Sequence, residues 1–194
     1  MQDFKNSENV ISNGSFSKIC SPGIRLGWIE AAPKIIASIA QSGILRSGGA
    51  VNNVMSGIIA CSLQDGSLAH HINNLRNEYG NRMRTLCNYL KDNLPDGFDF
   101  QTPEGGYFIW IVGPTNQFDG KKFSEYCPKE DKIVVLAGVR ASAYRSSSSD
   151  FLCQNAIRLS IAFYEKEILL DGANRLIQSL RNFIGLDMNV EKAL

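Results

Sequence analysis

Residues 13–28 read NGSFSKICSPGIRLGW, and the interpretation of the whole chain starts from this stretch. It places Lys18 and Arg25 seven positions apart among serines, glycines and a proline. Hydroxyl and backbone N–H groups can bind an anion, and a guanidinium suits phosphate. A lysine that is buried or lies near another cation has a lowered pKa and can act as a nucleophilic amine. The stretch therefore indicates a site for a phosphorylated carbonyl compound, with its phosphate on Ser15 and Arg25 and its carbonyl on Lys18. The alternative is a surface loop with two solvated cations.

The composition is typical of a globular protein. The chain has 194 residues, of which 44% are hydrophobic and 20% charged, and its net charge is +1. This length suits one full domain and part of another. A net charge this small does not attract nucleic acid or an anionic membrane, so we expect neither as a partner. No apolar run approaches the roughly 20 residues that span a bilayer.

The cysteines and histidines indicate a reducing compartment and no metal site. The five cysteines are scattered without a C-x-x-C pair, which favours free thiols. His70 and His71 are adjacent, so on a helix they point about 100° apart and cannot share a metal. The polar start, MQDFKNSEN, does not resemble a signal peptide. We expect a cytoplasmic protein, and leave open whether upstream sequence directs it to an organelle.

Hydrophobic periodicity predicts an α/β fold. Around the opening loop it predicts strands at residues 10–11 and 24–29, followed by helices at 33–46 and 51–64 and a long amphipathic helix at 67–92. Beyond Pro95 the pattern becomes that of a compact α/β unit. The predicted strands there are 98–101, 107–112, 133–136 and 156–162, and the predicted helices are 120–127, capped by Asp119, and 166–183.

A second cation lies in a predicted strand. In residues 155–162, NAIRLSIA, alternation places Arg158 and Ser160 on the face opposite three apolar side chains. An arginine in an otherwise apolar strand is costly unless it is paired. We therefore expect Arg158 to bind a carboxylate of a ligand. A structural ion pair with a nearby Asp or Glu is the alternative.

Four motifs, in order, resemble the class I/II pyridoxal-phosphate aminotransferases of fold type I. The stretch S-F-S-K-x-x-x-P-G-x-R-x-G-W, residues 15–28, is similar to the family's cofactor-lysine signature. Residues 68–79 look like its long interdomain helix, residues 103–110, PEGGYFIW, resemble its P-x-G-G-x-F-x-W strand, and residues 155–160 its N-x-x-R-L-S element. The 2-aminoadipate and kynurenine aminotransferase branch is the most similar.

The resemblance implies a cofactor and a role for each matching residue. Lys18 is expected to form a Schiff base with pyridoxal 5'-phosphate and then to move a proton at the substrate Cα. Ser15, Ser17 and Arg25 are expected to bind the cofactor, and Arg158 the substrate α-carboxylate. The implied substrates are an amino acid and a 2-oxo acid in amino-acid metabolism or biosynthesis, and the implied full-length state is a homodimer.

The resemblance also implies a domain organisation. Residues 1–66 correspond to the end of the large cofactor domain, 67–92 to the interdomain helix, 93–185 to the small α/β domain and 186–194 to a tail. The family's cofactor aspartate, a tyrosine and an asparagine lie well upstream of the lysine, in sequence that this chain does not contain. We therefore expect a C-terminal portion that is not a competent transaminase alone. Residues 137–141, AGVRA, lack the family's proline and phenylalanine, so the substrate side chain is not implied.

Two other functions remain open on the sequence. Some bacterial transcription regulators carry an aminotransferase-like domain that senses a ligand, and the chain could be part of one. It could also be a truncated product without catalytic activity.

Overall fold

The computed structural model describes residues 9–46, 51–115, 117–142 and 153–191, with the backbone alone from residue 186 onwards. The chain divides into two compact units, Met1–Asn77 and Glu78–Leu194. The elements are, in chain order, β1 (Ile11–Ser15), β2 (Gly27–Ala31), α1 (Pro33–Ala40), α2 (Gly43–Arg46), α3 (Asn53–Gln64), α4 (Ser67–Asn93), β3 (Phe108–Val112), α5 (Gly120–Glu130), β4 (Leu136–Ala137), β5 (Ala156–Ser160) and α6 (Lys166–Glu191). In this described part, none of the helices combines the length and apolarity needed to cross a membrane.

The first unit begins with an antiparallel hairpin. β1 and β2 pair from Ile11 opposite Ala31 to Ser15 opposite Gly27. The indole of Trp28 lies over Gly14, where a Cβ would come within 2.0 Å of the ring, and it packs against Phe16 at 4.8 Å between centroids. Glycine is required at this close approach because any side chain would displace the indole. The hairpin presents residues 16–26 as one loop.

Several predicted boundaries in the first unit are wrong. The strand predicted at 10–11 extends to Ser15, and β2 ends at Ala31 instead of residue 29. β2 begins later than predicted because a 3-10 helix at Pro22–Ile24 and a left-handed Arg25 interrupt the extended chain. The helix predicted at 33–46 is two helices, since α1 ends at Ala40 and α2 begins at Gly43. The predicted helices over α3 and α4 are confirmed. On α3 the side chain of Ile59 is buried, and other apolar side chains of this helix are exposed.

The second unit has a three-stranded antiparallel sheet in the order β3-β5-β4. β5 is central, so Arg158 lies opposite Trp110 on one side and opposite Leu136 on the other. The core contains side chains from the strands, from the C-terminal part of α4 and from α5 and α6. Among the most deeply buried are Leu90, Ile109, Ile111, Phe123, Ile157, Ile161, Ile177 and Leu180. This core fixes the backbone on which Arg158 stands.

The predicted strands of the second unit are too long: β3 begins one residue later than predicted, β5 ends two residues earlier, and two strands are largely lost. Residues 98–101 form a single bridge, between Asp99 and Val112. The carboxylate of Asp99 accepts a hydrogen bond from the N–H of Phe100 at 2.7 Å, and such local bonds compete with a strand ladder. The strand predicted at 133–136 is paired only at Leu136–Ala137. The division between the two units falls inside α4, the helix expected to link two domains.

Candidate functional site

The loop at residues 16–26 is closed by backbone hydrogen bonds. The N–H of Phe16 donates to the carbonyl of Leu26 at 3.1 Å, which extends the β1–β2 pairing by one step. The carbonyl of Phe16 in turn accepts from the N–H groups of Ile19, Cys20 and Ser21 at 3.3, 2.9 and 3.2 Å. The chain therefore folds back on itself directly after Lys18. Lys18 and Arg25 lie in one closed loop.

The serines of this loop cap two short 3-10 helices. The Oγ of Ser15 accepts a hydrogen bond from the N–H of Ser17 at 3.2 Å, at the start of the helix Phe16–Lys18. Ser21 does the same for Gly23 at 3.4 Å. Because Ser15 acts as an acceptor in this bond, its hydroxyl proton stays available to an anion. Lys18 is the last residue of its helix, and its side chain is exposed.

Arg25 has a backbone conformation that is unusual for its residue type. Its φ and ψ are 49° and 43°, in the left-handed region. For a residue with a Cβ this conformation costs roughly 1–2 kcal/mol. The Nη1 of Arg25 donates to the carbonyl of Pro22 at 3.1 Å, so the guanidinium is held against its own loop while the side chain remains exposed.

Asn52 supports this conformation from a distant part of the sequence. Its Nδ2 donates to the carbonyl of Ile24 at 2.8 Å and to that of Arg25 at 3.3 Å. Asn52 is the residue before α3, where asparagine usually caps the helix, but its side chain makes no capping bond. Sequence reasoning missed this residue, because an asparagine before a helix predicts a cap.

The chemistry of the loop fits a phosphorylated carbonyl compound. It supplies a primary amine from Lys18, hydroxyl groups from Ser15 and Ser17, and the guanidinium of Arg25. Lys18 and Arg25 are exposed, so a ligand can reach both from solvent. No group of three or more His, Cys, Asp or Glu side chains suited to a metal ion occurs in the residues that the structure describes.

Arg158 lies in the second unit and forms its own candidate site. It is half-buried on β5, and its guanidinium carbon lies 3.8 Å from the centroid of the Phe108 ring. None of the carboxylates in the described ranges forms an ion pair with it. On the opposite face Ile157 and Ile161 are fully buried, as expected, whereas Leu159 is half-buried, and Ala156, on the same face as Arg158, is buried. The guanidinium edge is thus available to a carboxylate ligand. The four loop residues share one unit, and Arg158 belongs to the other.

Comparison with protein families gives a match over most of the chain. Residues 2–176 match the family described as "Aminotransferase class I and II". Aromatic-amino-acid aminotransferase 1 of Thermococcus litoralis is 30% identical over 173 residues, which are 89% of this chain and 39% of that protein. The HTH-type transcriptional regulator NorG of Staphylococcus aureus is 31% identical over 159 residues, which are 81% of this chain and 33% of that protein.

A solved structure gives the same result at the level of the fold. The kynurenine aminotransferase of Pyrococcus horikoshii, in complex with PMP, superimposes with a TM-score of 0.75 at 31% identity. The match covers 91% of this chain and 42% of that one. The chain thus spans well under half of the length of these three relatives, between 33% and 42%. The predicted fold class and the resemblance carried by the four motifs are confirmed.

Proposed function

The chain belongs to the class I and II aminotransferase family, and from this premise we propose that the protein transfers an amino group from an amino acid to a 2-oxo acid, with pyridoxal 5'-phosphate as cofactor. The observation that carries the proposal is the closed loop that contains Lys18 and Arg25 and begins directly after Ser15. When bound, the cofactor supplies an electron sink for chemistry at the substrate Cα.

Each loop residue has a distinct part in this proposal. The amine of Lys18 would hold the cofactor by condensing with its carbonyl carbon, with loss of water, and once the substrate amine had displaced it the same amine would move a proton at the substrate Cα. The hydroxyl groups of Ser15 and Ser17 and the guanidinium of Arg25 hold the phosphate. A hydrogen bond to a charged group contributes about 1.5–3 kcal/mol, so these contacts orient the cofactor as well as retain it.

Arg158 orients the substrate in this proposal. A guanidinium binds a carboxylate through two parallel hydrogen bonds, which fixes direction as well as position. The support is that Arg158 has no carboxylate partner in the described part of the chain and presents its guanidinium on the half-buried side of β5. Because every α-amino acid has this carboxylate, the contact selects the substrate class and not its side chain.

The assignment of Lys18 is tested by trapping the cofactor on the 194-residue chain. Incubation with pyridoxal 5'-phosphate followed by borohydride reduction leaves a phosphopyridoxyl group that mass spectrometry can map to one lysine. We expect it on Lys18 and expect it to be lost in Lys18→Arg. Lys34→Arg is the matched control, because Lys34 is also an exposed lysine of the first unit. Labelling mainly at another lysine would refute the assignment.

The wider organisation is part of the same proposal. We take residues 1–66 as the end of the cofactor domain, 67–92 as the interdomain helix, 93–185 as the small domain and 186–194 as a tail. The full-length protein is proposed to be a cytoplasmic homodimer. Size-exclusion chromatography with light scattering on the complete gene product tests the dimer, and a monomeric mass would contradict it.

A ligand-sensing domain of a transcription regulator is the second candidate. It is favoured by the 31% identity to NorG. The complete transcript discriminates between the two functions, because a regulator has a DNA-binding segment upstream and an enzyme has the remainder of its cofactor domain. The truncated, non-catalytic alternative predicts that the purified chain gains no visible absorbance with added cofactor.

A further inference from the structure

We infer that Asn52 is a positioning residue for phosphate recognition, because it holds the backbone of Arg25 in the conformation that presents the guanidinium. The inference rests on the proposed function, which assigns the cofactor phosphate to Arg25. It concerns a residue outside all four sequence motifs, 27 positions beyond Arg25.

The first step concerns the cost of the conformation. An arginine in the left-handed region is unfavourable by itself, and such residues persist where the surrounding structure determines them. Arg25 has φ 49° and ψ 43°, and within the described ranges the hydrogen bond of its own side chain goes to the nearby carbonyl of Pro22. A contact within the same loop cannot fix the loop against the rest of the unit. The determining contact has to come from elsewhere in the chain.

The second step identifies that contact. The amide of Asn52 donates to the carbonyls of Ile24 and Arg25, at 2.8 and 3.3 Å. These carbonyls belong to the peptides before and after the Cα of Arg25, so one nitrogen fixes both peptides relative to the start of α3. Asn52 does this instead of capping α3, although an N-cap side chain usually stabilises its helix by about 1 kcal/mol. The side chain is therefore committed to the loop.

The third step connects the backbone to phosphate binding. The direction of a side chain follows from the φ and ψ of its residue. If Arg25 relaxed to the right-handed or extended region, its Cα–Cβ bond would point elsewhere and the guanidinium would leave its present position beside the carbonyl of Pro22. Asn52 therefore acts on the phosphate through Arg25 and does not need to touch it.

The test compares two compounds that differ only in the phosphate. Pyridoxal and pyridoxal 5'-phosphate are titrated into the 194-residue chain, and binding at Lys18 is followed by absorbance. Asn52→Asp is nearly isosteric but has no donor. We expect Asn52→Ala and Asn52→Asp to weaken the binding of the phosphorylated compound by about fivefold or more, and to leave the binding of pyridoxal unchanged. Asn73→Ala, at an exposed asparagine of α4, is the control and should change neither.

A double-mutant cycle separates positioning from general damage. In an Arg25→Ala background, Asn52→Ala should have no further effect on the preference for phosphate, because the group that it positions is gone. An unchanged preference in Asn52→Ala, or an equal loss in the Arg25→Ala background, would overturn the inference.

Trypsin gives a readout that needs no cofactor. Cleavage after Arg25 requires the loop to open, so Asn52→Ala should be cut there several times faster than the unsubstituted chain, whereas Asn73→Ala should not be. An unchanged cleavage rate would contradict the inference. Failure of both compounds to bind at Lys18 would contradict the proposed function, and the cleavage rate would then still decide whether Asn52 holds Arg25.

Discussion

The guanidinium carbon of Arg158 lies 3.8 Å from the centroid of the Phe108 ring, which belongs to the neighbouring strand β3. Phe108 is paired with Ser160, so the ring reaches Arg158 diagonally across the two strands. The negative face of an aromatic ring attracts a cation and holds a planar guanidinium flat. The donors at the edge of the guanidinium then remain free for a carboxylate.

Replacing Phe108 should reveal this contact as a coupling free energy. In a double-mutant cycle with Phe108→Leu and Arg158→Gln, we expect a coupling of about 0.5–1 kcal/mol, the range for a partly exposed cation–π pair. Urea unfolding followed by Trp110 fluorescence measures it, in a Trp28→Phe background that removes the other tryptophan. Phe163→Leu is the control, since Phe163 is 85% exposed. A coupling near zero would mean that the ring does not hold the guanidinium.

The cap of α5 should make stability depend on pH. Asp119 accepts hydrogen bonds from the N–H groups of Lys121 and Lys122 at 2.8 and 3.0 Å, and Gln154 adds another at 3.2 Å. Burial acts to raise the pKa of Asp119, but these hydrogen bonds and the charge of Lys122 outweigh it, and the pKa is lowered. A carboxyl with a lowered folded-state pKa stabilises the fold above its unfolded pKa, and this stabilisation is lost as the pH falls through the folded-state value.

Asp119→Ala should therefore cost about 0.5–2 kcal/mol of unfolding free energy at pH 7, and progressively less as the pH falls below the unfolded-state pKa of about 3.9. Asp119→Asn keeps an acceptor that does not titrate, so its stability should vary less with pH over the same range. Urea unfolding at a series of pH values measures both variants. If Asp119→Ala lowered the free energy of unfolding equally at neutral and acid pH, the assignment of the cap would be contradicted.

Four of the five cysteines should fall into two reactivity classes, and Cys153 is half-buried between them. Cys20 and Cys61 are exposed, whereas Cys87 and Cys127 are buried. Burial raises the pKa of the Cys127 thiol to about 11. Burial also raises the pKa of Cys87, because its effect is larger than that of the nearby positive charge of Lys91, which lowers the pKa. Because the thiolate is the reactive form, iodoacetamide at pH 8 should label the exposed pair within minutes and the buried pair only after unfolding. Mass spectrometry identifies the labelled sites, and rapid labelling of Cys127 in the folded chain would contradict its burial.

Two glycines of the first unit should respond in opposite directions to alanine. At Gly14 a Cβ would overlap the Trp28 ring, so Gly14→Ala should destabilise this unit by about 1–3 kcal/mol. At Gly57, inside α3, a Cβ meets nothing within 4 Å, so Gly57→Ala should stabilise it by up to about 1 kcal/mol. Unfolding followed by Trp28 fluorescence in a Trp110→Phe background measures both. Equal effects would mean that the indole does not lie over Gly14.

Local patterns predicted the regular elements well. The apolar stripe that begins at residue 67 predicted the helix that runs to Asn93, and the alternation around Arg158 predicted the burial of Ile157 and Ile161 and the exposure of Ser160. These signals succeed because each is contained within one element and repeats along it. The cap at Asp119 also follows from one residue and its immediate neighbours.

Two of the failures come from contacts that lie outside the local window. The predicted start of β2 is wrong because nothing near Arg25 reports its left-handed backbone, which is determined by Asn52. The ring on Arg158 belongs to another strand, and pairing two strands in register is not visible in either one alone. The residue types of the candidate site were therefore readable from sequence, and their supports were not.

The left-handed backbone at position 25 sets two selection pressures against each other. Judged by conformation alone, glycine or asparagine is preferred there, and arginine is a poor choice. In a library of all twenty residues at this position, sorting for folded protein should enrich glycine and asparagine, whereas sorting for retention of a phosphorylated ligand should return arginine. The residue found in nature at this position thus marks which of the two demands has prevailed.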